Sequence, residues 1–129
     1  MGPVNGSIMP ESIHIIADFS DCPIELLETG VTGERLLAEA VAESGLNCVL
    51  IRHHQFTPCG YTAAALLTES HITLHSWPEH FSVQIDIFTC GSHAKARKAY
   101  EVLKRLFSPG KVSEKILCRR LEEIIEYEI

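Results

Sequence analysis

The sequence predicts an α+β fold: a two-layer sandwich in which an antiparallel sheet carries its helices on one face. Three observations lead there. Residues 81–89 alternate, with Phe81, Val83, Ile85 and Ile87 on one side and Ser82, Gln84 and Asp86 on the other, which is the period of a half-buried strand. Two other stretches repeat their apolar residues at helical spacing. Four extended runs in the middle of the chain are joined by turns too short for parallel crossovers, so they must pair antiparallel.

Residues 12–19 (Ser-Ile-His-Ile-Ile-Ala-Asp-Phe) read as the first strand, and 18–23 as a polar turn. Thr32 is placed to cap a helix whose apolar stripe is Leu36, Leu37, Ala40 and Val41, with Gly45 ending it. Residues 47–56 are rich in Val, Leu and Ile and form the second strand, which Thr57-Pro58-Cys59-Gly60 breaks. Residues 61–68 and 72–76 are the third and fourth strands, and Trp77-Pro78-Glu79 interrupts before the fifth. Ser92 caps a second helix over 93–107, with Ala96, Ala99, Tyr100, Leu103, Leu106 and Phe107 on its apolar face. Pro109-Gly110 stops it, residues 111–119 form a last strand, and the acidic stretch 122–129 is unassigned. Two helices cover one sheet face. The other face carries small and polar residues and is free for a site or a partner subunit.

A chain of 129 residues suits one domain. Its hydrophobic content of 46% and charged content of 22% are those of a globular protein. No apolar run approaches the roughly 20 residues of a membrane helix, and residues 1–10 have no basic residue, so they read as a loose tail and not a signal peptide. The net charge of −6 argues against a nucleic-acid surface, and Lys95, Arg97, Lys98, Lys104 and Arg105 read as a solvated helix face. The five cysteines (Cys22, Cys48, Cys59, Cys90, Cys118) are odd in number and lack a Cys-x-x-Cys pair. That excludes a secreted disulfide framework and fits the cytoplasm.

Reactive side chains concentrate in Glu69-Ser70-His71-Ile72-Thr73-Leu74-His75-Ser76-Trp77-Pro78-Glu79 and in Phe88-Thr89-Cys90-Gly91. Metal ligation fails on spacing. On a strand, His71 and His75 sit about 13 Å apart, whereas zinc ligands share one ion at about 2.0–2.3 Å. An ordinary Ser/His hydrolase lacks its Gly-x-Ser-x-Gly elbow, and the offset from Ser70 to His75 puts them on opposite strand faces. Taken singly, Ser70 reads as a turn residue, Cys90 as a strand-end thiol and Trp77 as a core aromatic. A further chemistry is open to Ser70. Attack on the carbonyl of Glu69 exchanges an amide for an ester, elimination cuts the chain, and hydrolysis leaves a pyruvoyl group. Its ketone forms a Schiff base with an amino acid and acts as an electron sink.

The words Glu-Ser-His-Ile-Thr-Leu-His-Ser-Trp-Pro-Glu and Asp-Ile-Phe-Thr-Cys-Gly closely resemble the bacterial and archaeal S-adenosylmethionine decarboxylase proenzymes, and the likeness extends over about residues 12–103. The resemblance implies self-cleavage between Glu69 and Ser70, giving a β chain 1–69 and an α chain 70–129 that begins with the pyruvoyl cofactor. His75 falls on the family's processing histidine and Cys90 on its catalytic proton donor. Glu79 falls where the ribose hydroxyls are bound, Phe56 where a ring stacks on adenine, and Thr62 and Trp77 line the site. The implied product serves spermidine synthesis, and the implied assembly is a homodimer with sites near its interface. Ser76 stands where the family usually has Thr, and the chain after Leu106 matches poorly. Arginine or ornithine is the alternative substrate, and a non-catalytic paralogue that binds a partner enzyme is the other alternative. Ser70 and His75 can meet only if the chain turns near Ser70, so a tight turn or bulge at 69–71 that breaks the strand alternation is expected.

Overall fold

The protein is described here by a computed structural model covering residues 10–127. The expected tail over 1–10 lies outside the described residues except for Pro10. The strands are β1 (Ser12–Ser20), β2 (Cys48–Gln55), β3 (Tyr61–Leu67), β4 (Ser70–Trp77), β5 (Ser82–Thr89), β6 (Lys111–Arg119) and β7 (Ile124–Tyr127). The helices are α1 (Gly30–Ser44) and α2 (His93–Phe107). One sheet runs in the order β2-β3-β4-β5-β1-β6-β7, and every neighbouring pair is antiparallel. The middle strands form the expected meander, and β1 inserts between β5 and β6.

Strand alternation decides which side chains face the helices. Ile13, Ile15, Ala17 and Phe19 of β1, Ala63 and Ala65 of β3, Ile72 and Leu74 of β4, and Val83, Ile85 and Ile87 of β5 are all buried. They meet Leu36, Leu37 and Ala40 of α1 and Ala96, Ala99, Leu103 and Phe107 of α2 in one core. Each large aliphatic or aromatic side chain buried there contributes about 1.5–3 kcal/mol. Among the described residues, no helix lies on the opposite sheet face.

Four local expectations are corrected. The cap of α1 is Thr29, whose hydroxyl accepts the N–H of Thr32 at 3.4 Å, so Thr32 is already inside the helix. Phe81 does not join the core face of β5: its φ of 52° follows a 3-10 turn over Pro78–His80, and it is 52% exposed. The stretch left unassigned after residue 122 contains β7, which pairs with β6. The fourth strand begins two residues earlier than its apolar pattern suggests, at Ser70. Elsewhere Gly45 ends α1 at φ 80°, and Ser92 caps α2 by accepting the N–H of Lys95 at 3.1 Å.

At Gly33 α1 packs tightly against the sheet. A Cβ there would lie 2.3 Å from Cε1 of Tyr61. The Tyr61 ring cannot easily yield, because it is buried and its hydroxyl donates to the Leu26 carbonyl at 2.8 Å. Burial pushes the pKa of that phenol well above its ordinary value, so it stays a donor. Gly33→Ala is expected to destabilise the fold by about 2 kcal/mol through overpacking, read as a lower midpoint in urea unfolding. An unchanged midpoint would mean that the ring moves aside freely.

Candidate active site

The candidate residues fall into two groups at opposite ends of β4. The first surrounds a cavity of about 480 Å³ on the open side of the sheet, lined by Phe56, Thr62, His75, Trp77 and Glu79 among others. The chain builds it from the loop between β2 and β3, the adjoining ends of β3 and β4, and the 3-10 turn. Phe56 and Trp77 are each 47% exposed, so two aromatic surfaces lie free at its rim. The Oγ1 of Thr62 and Nδ1 of His75 are 3.2 Å apart, which orients the imidazole. Trp77 donates from Nε1 to Gln84 at 3.0 Å, and Gln84 in turn donates to Asp18 at 3.4 Å.

The loop under Phe56 is held by its neighbour. The Gln55 carboxamide oxygen accepts the Gly30 N–H at 2.7 Å, one of the otherwise orphaned donors of the first turn of α1. The Gln55 amide nitrogen lies 3.0 Å from each of the carbonyls of Glu28, Phe56 and Gly60. Gly60 takes φ 103°, a conformation few other residues adopt. Ser76 points to the other side of the sheet. Its hydroxyl donates to the Leu27 carbonyl and accepts the Tyr61 N–H, both at 2.8 Å. A threonine supplies the same hydroxyl, so the departure at Ser76 keeps these supporting bonds available.

The second group lies at the hairpin between β3 and β4. Thr68 and Glu69 form its two-residue turn, since Leu67 pairs with Ser70. Ser70 also pairs with Thr89 across β5. The ladder continues one step beyond that pair: the N–H of Cys90 donates to the carbonyl oxygen of Glu69 at 3.0 Å. That oxygen belongs to the bond between Glu69 and Ser70. A small cavity of about 60 Å³ here is lined by Glu69, Ser70, Thr89, Gly91 and Lys95. The Cys90 thiol is free and half-buried.

The structure therefore does not bring Ser70 to His75 within one chain. The turn falls at Thr68–Glu69, and β4 runs on from Ser70 with unbroken alternation. Ile72, Leu74 and Ser76 are buried toward the helices, while His75 and Trp77 are exposed on the open face. The expected break in the alternation at 69–71 is absent. Five residues of strand at about 3.3 Å each separate Ser70 from His75 by roughly 16 Å. Among the described residues, no group of three or more His, Cys, Asp or Glu side chains could hold a metal ion. Sequence reasoning missed Gln55 and Gln84. Gln84 could have been found from its place on the polar side of an alternating strand; nothing local distinguishes Gln55.

Comparison with known proteins returns one family. A family model described as S-adenosylmethionine decarboxylase matches residues 13–120. A relative from Fervidobacterium nodosum named S-adenosylmethionine decarboxylase proenzyme is 39% identical over 94 residues, covering 73% of this chain and 69% of the relative. One of the same name from Methanococcus aeolicus is 37% identical over 98 residues, covering 76% and 84%. Among solved structures, the adenosylmethionine decarboxylase of Aquifex aeolicus superposes with a TM-score of 0.80 at 28% identity, covering 84% of this chain and 90% of that one. An AdoMetDC monomer of Trypanosoma brucei, at 17% identity and a TM-score of 0.57, shares the fold.

Proposed function

The chain belongs to the S-adenosylmethionine decarboxylase family, and on that premise we propose that it makes a pyruvoyl prosthetic group from its own Ser70. Its activity is the decarboxylation of S-adenosylmethionine. The observation that carries the proposal is the Cys90 N–H, 3.0 Å from the Glu69 carbonyl oxygen. Attack by the Ser70 hydroxyl on that carbonyl carbon puts negative charge on the oxygen, and a fixed N–H donor stabilises it. The C–N bond breaks, the ester forms, and the proton of the hydroxyl passes to the freed amine. Loss of the Ser70 Cα proton then expels Glu69 as a carboxylate and leaves dehydroalanine. Water hydrolyses its imine tautomer to the ketone and releases ammonia. The product is a β chain 1–69 and an α chain 70–129. These steps use only this chain and water, so the residues present fit a self-made group.

The pyruvoyl ketone would supply an electron sink for the carbon that loses CO2, held where Ser70 stands at the start of β4. The chain's own residues do the rest. Cys90 returns a proton to the substrate carbon, Phe56 stacks on adenine, Glu79 accepts the ribose hydroxyls, and Thr62 and Trp77 line the site. The exposed rings of Phe56 and Trp77 also suit a sulfonium cation. We assign the product to aminopropyl donation in spermidine synthesis. The cytoplasm is the proposed location, consistent with five free cysteines and with no described helix long and apolar enough to cross a membrane.

The working unit proposed is a homodimer joined through the open sheet faces. Leu50, Leu66 and Trp77 are 40%, 50% and 47% exposed there. A second copy packed face to face about a two-fold axis can set its cavity group against the first copy's hairpin group. We assign His75 of one protomer to the Ser70 end of β4 in the other, so the two need not meet across roughly 16 Å of one strand.

CO2 release measured in parallel with S-adenosylmethionine, arginine and ornithine is expected only with the first. Release from the amino acids alone would favour the alternative substrates, which need neither a base-stacking ring nor a ribose acceptor. Cys90→Ala keeps the backbone N–H. It is expected to self-cleave fully while turning over at least about 10²-fold more slowly; normal turnover would remove Cys90 from its role.

A further inference from the structure

His71, which directly follows Ser70, is held on the open face by groups from three other strands. Its ring stacks on Phe88 of β5, with centroids 5.6 Å apart and planes at 24°. Its Nε2 lies 3.9 Å from Oδ1 of Asp86. His14 of β1 bonds the same carboxylate oxygen through Nε2 at 2.5 Å and meets the Phe88 ring edge-on at 5.5 Å. Arg119 of β6 lies over that ring at 5.0 Å, and its Nη1 is 3.4 Å from Nδ1 of His14. These partners fix the His14 tautomer, with Nε2–H donating to Asp86 and Nδ1 accepting from Arg119. Phe88 is thereby pinned, and His71 rests on a pinned ring. None of the steps derived so far uses this cluster.

A cut before Ser70 changes what residue 70 depends on. In the intact chain the turn ties it covalently to β3. After the cut it is a strand end, and untethered ends fray. Yet its keto carbon must stay within about 3–3.5 Å of the reacting amine, where a misplacement of about 1 Å costs on the order of 10²-fold. Its remaining covalent neighbour is His71. We propose that His71 is a positioning residue: stacked on Phe88 and steered by Asp86, it anchors the cut end of β4 so that the pyruvoyl carbon stays beside Cys90. The proposal rests on the self-cleavage proposed above.

The test compares wild type with His71→Ala, His71→Phe and Phe88→Leu, each purified as the cleaved protein. The readouts are the cleaved fraction by denaturing mass spectrometry, amide hydrogen exchange in residues 71–77, and kcat and KM for S-adenosylmethionine. All four proteins are expected to cleave completely. In His71→Ala, kcat falls about tenfold or more while KM stays within about twofold, and exchange in 71–77 speeds up about tenfold. His71→Phe keeps the stack and recovers most of both. Phe88→Leu removes the other ring and reproduces the alanine variant. A cleaved His71→Ala with wild-type exchange and kcat would overturn the proposal. So would a loss confined to KM, or a failure of the cut itself in His71→Ala. An uncleaved wild-type chain is a different result: it overturns the self-cleavage and this proposal together.

Discussion

Purified protein is expected to resolve on denaturing mass spectrometry into two fragments broken between Glu69 and Ser70. The second fragment is lighter by one ammonia than a chain beginning with serine, and it resists N-terminal sequencing. Ser70→Ala leaves a single chain, because a methyl group cannot attack the Glu69 carbonyl. The same substitution removes the electron sink. It therefore forfeits most of the roughly 10⁶-fold or greater acceleration that an enzyme supplies. The substitution is mild for the fold: Ser70 sits at the first position of β4, and no side-chain hydrogen bond of Ser70 is present to be lost among the described residues. Unfolding free energies of Ser70→Ala and of wild type held in its uncleaved form early after synthesis should agree within about 0.5 kcal/mol. Wild type that remains one chain after prolonged incubation would defeat the proposed maturation. A cut that persists in Ser70→Ala would assign the nucleophile elsewhere.

Much of this architecture is legible in the sequence because it follows from periodicity and punctuation. The alternation of Val83, Ile85 and Ile87 fixes β5, the stripe of Leu36, Leu37, Ala40 and Val41 fixes α1, and Ser92 and Pro109 bound α2. What stayed illegible depends on distant partners. Thr29 and Thr32 are both able to cap; the choice of Thr29 is coupled to Gln55, which takes the Gly30 N–H from 25 residues away. Phe81 fits the alternating pattern, but the 3-10 turn before it imposes a left-handed conformation that turns it out of the core. The candidate site is legible as a set of residues and not as a place. Periodicity correctly puts Ser70 and His75 on opposite faces, and the bulge expected to reconcile them is absent because a two-residue turn at Thr68–Glu69 already closes the hairpin. The contact proposed across a two-fold axis would leave no signal within one chain.

The proposed axis is open to a complementation experiment with a large expected effect. Cys90 belongs to the hairpin group and Glu79 to the cavity group, at opposite ends of β4. If each complete site joins the hairpin group of one protomer to the cavity group of its partner, a dimer of Cys90→Ala with Glu79→Ala holds one site with both defects and one with neither. Random pairing makes about half of the dimers mixed, each with one intact site of two, so about a quarter of wild-type activity returns on mixing two nearly inactive proteins. If each site lies within a single protomer, every site in the mixed dimer keeps a defect and mixing restores nothing. Neither substitution touches the Cys90 N–H or the Ser70 hydroxyl, so both parents should self-cleave, and the cleaved fraction can be checked before mixing. Recovery near a quarter, rising with co-expression time and vanishing when Glu79→Ala is replaced by Ser70→Ala, so that the pair is Ser70→Ala with Cys90→Ala, identifies the shared site. That last pair places both defects in the same group, so its mixed dimers carry one defect in each site and cannot complement.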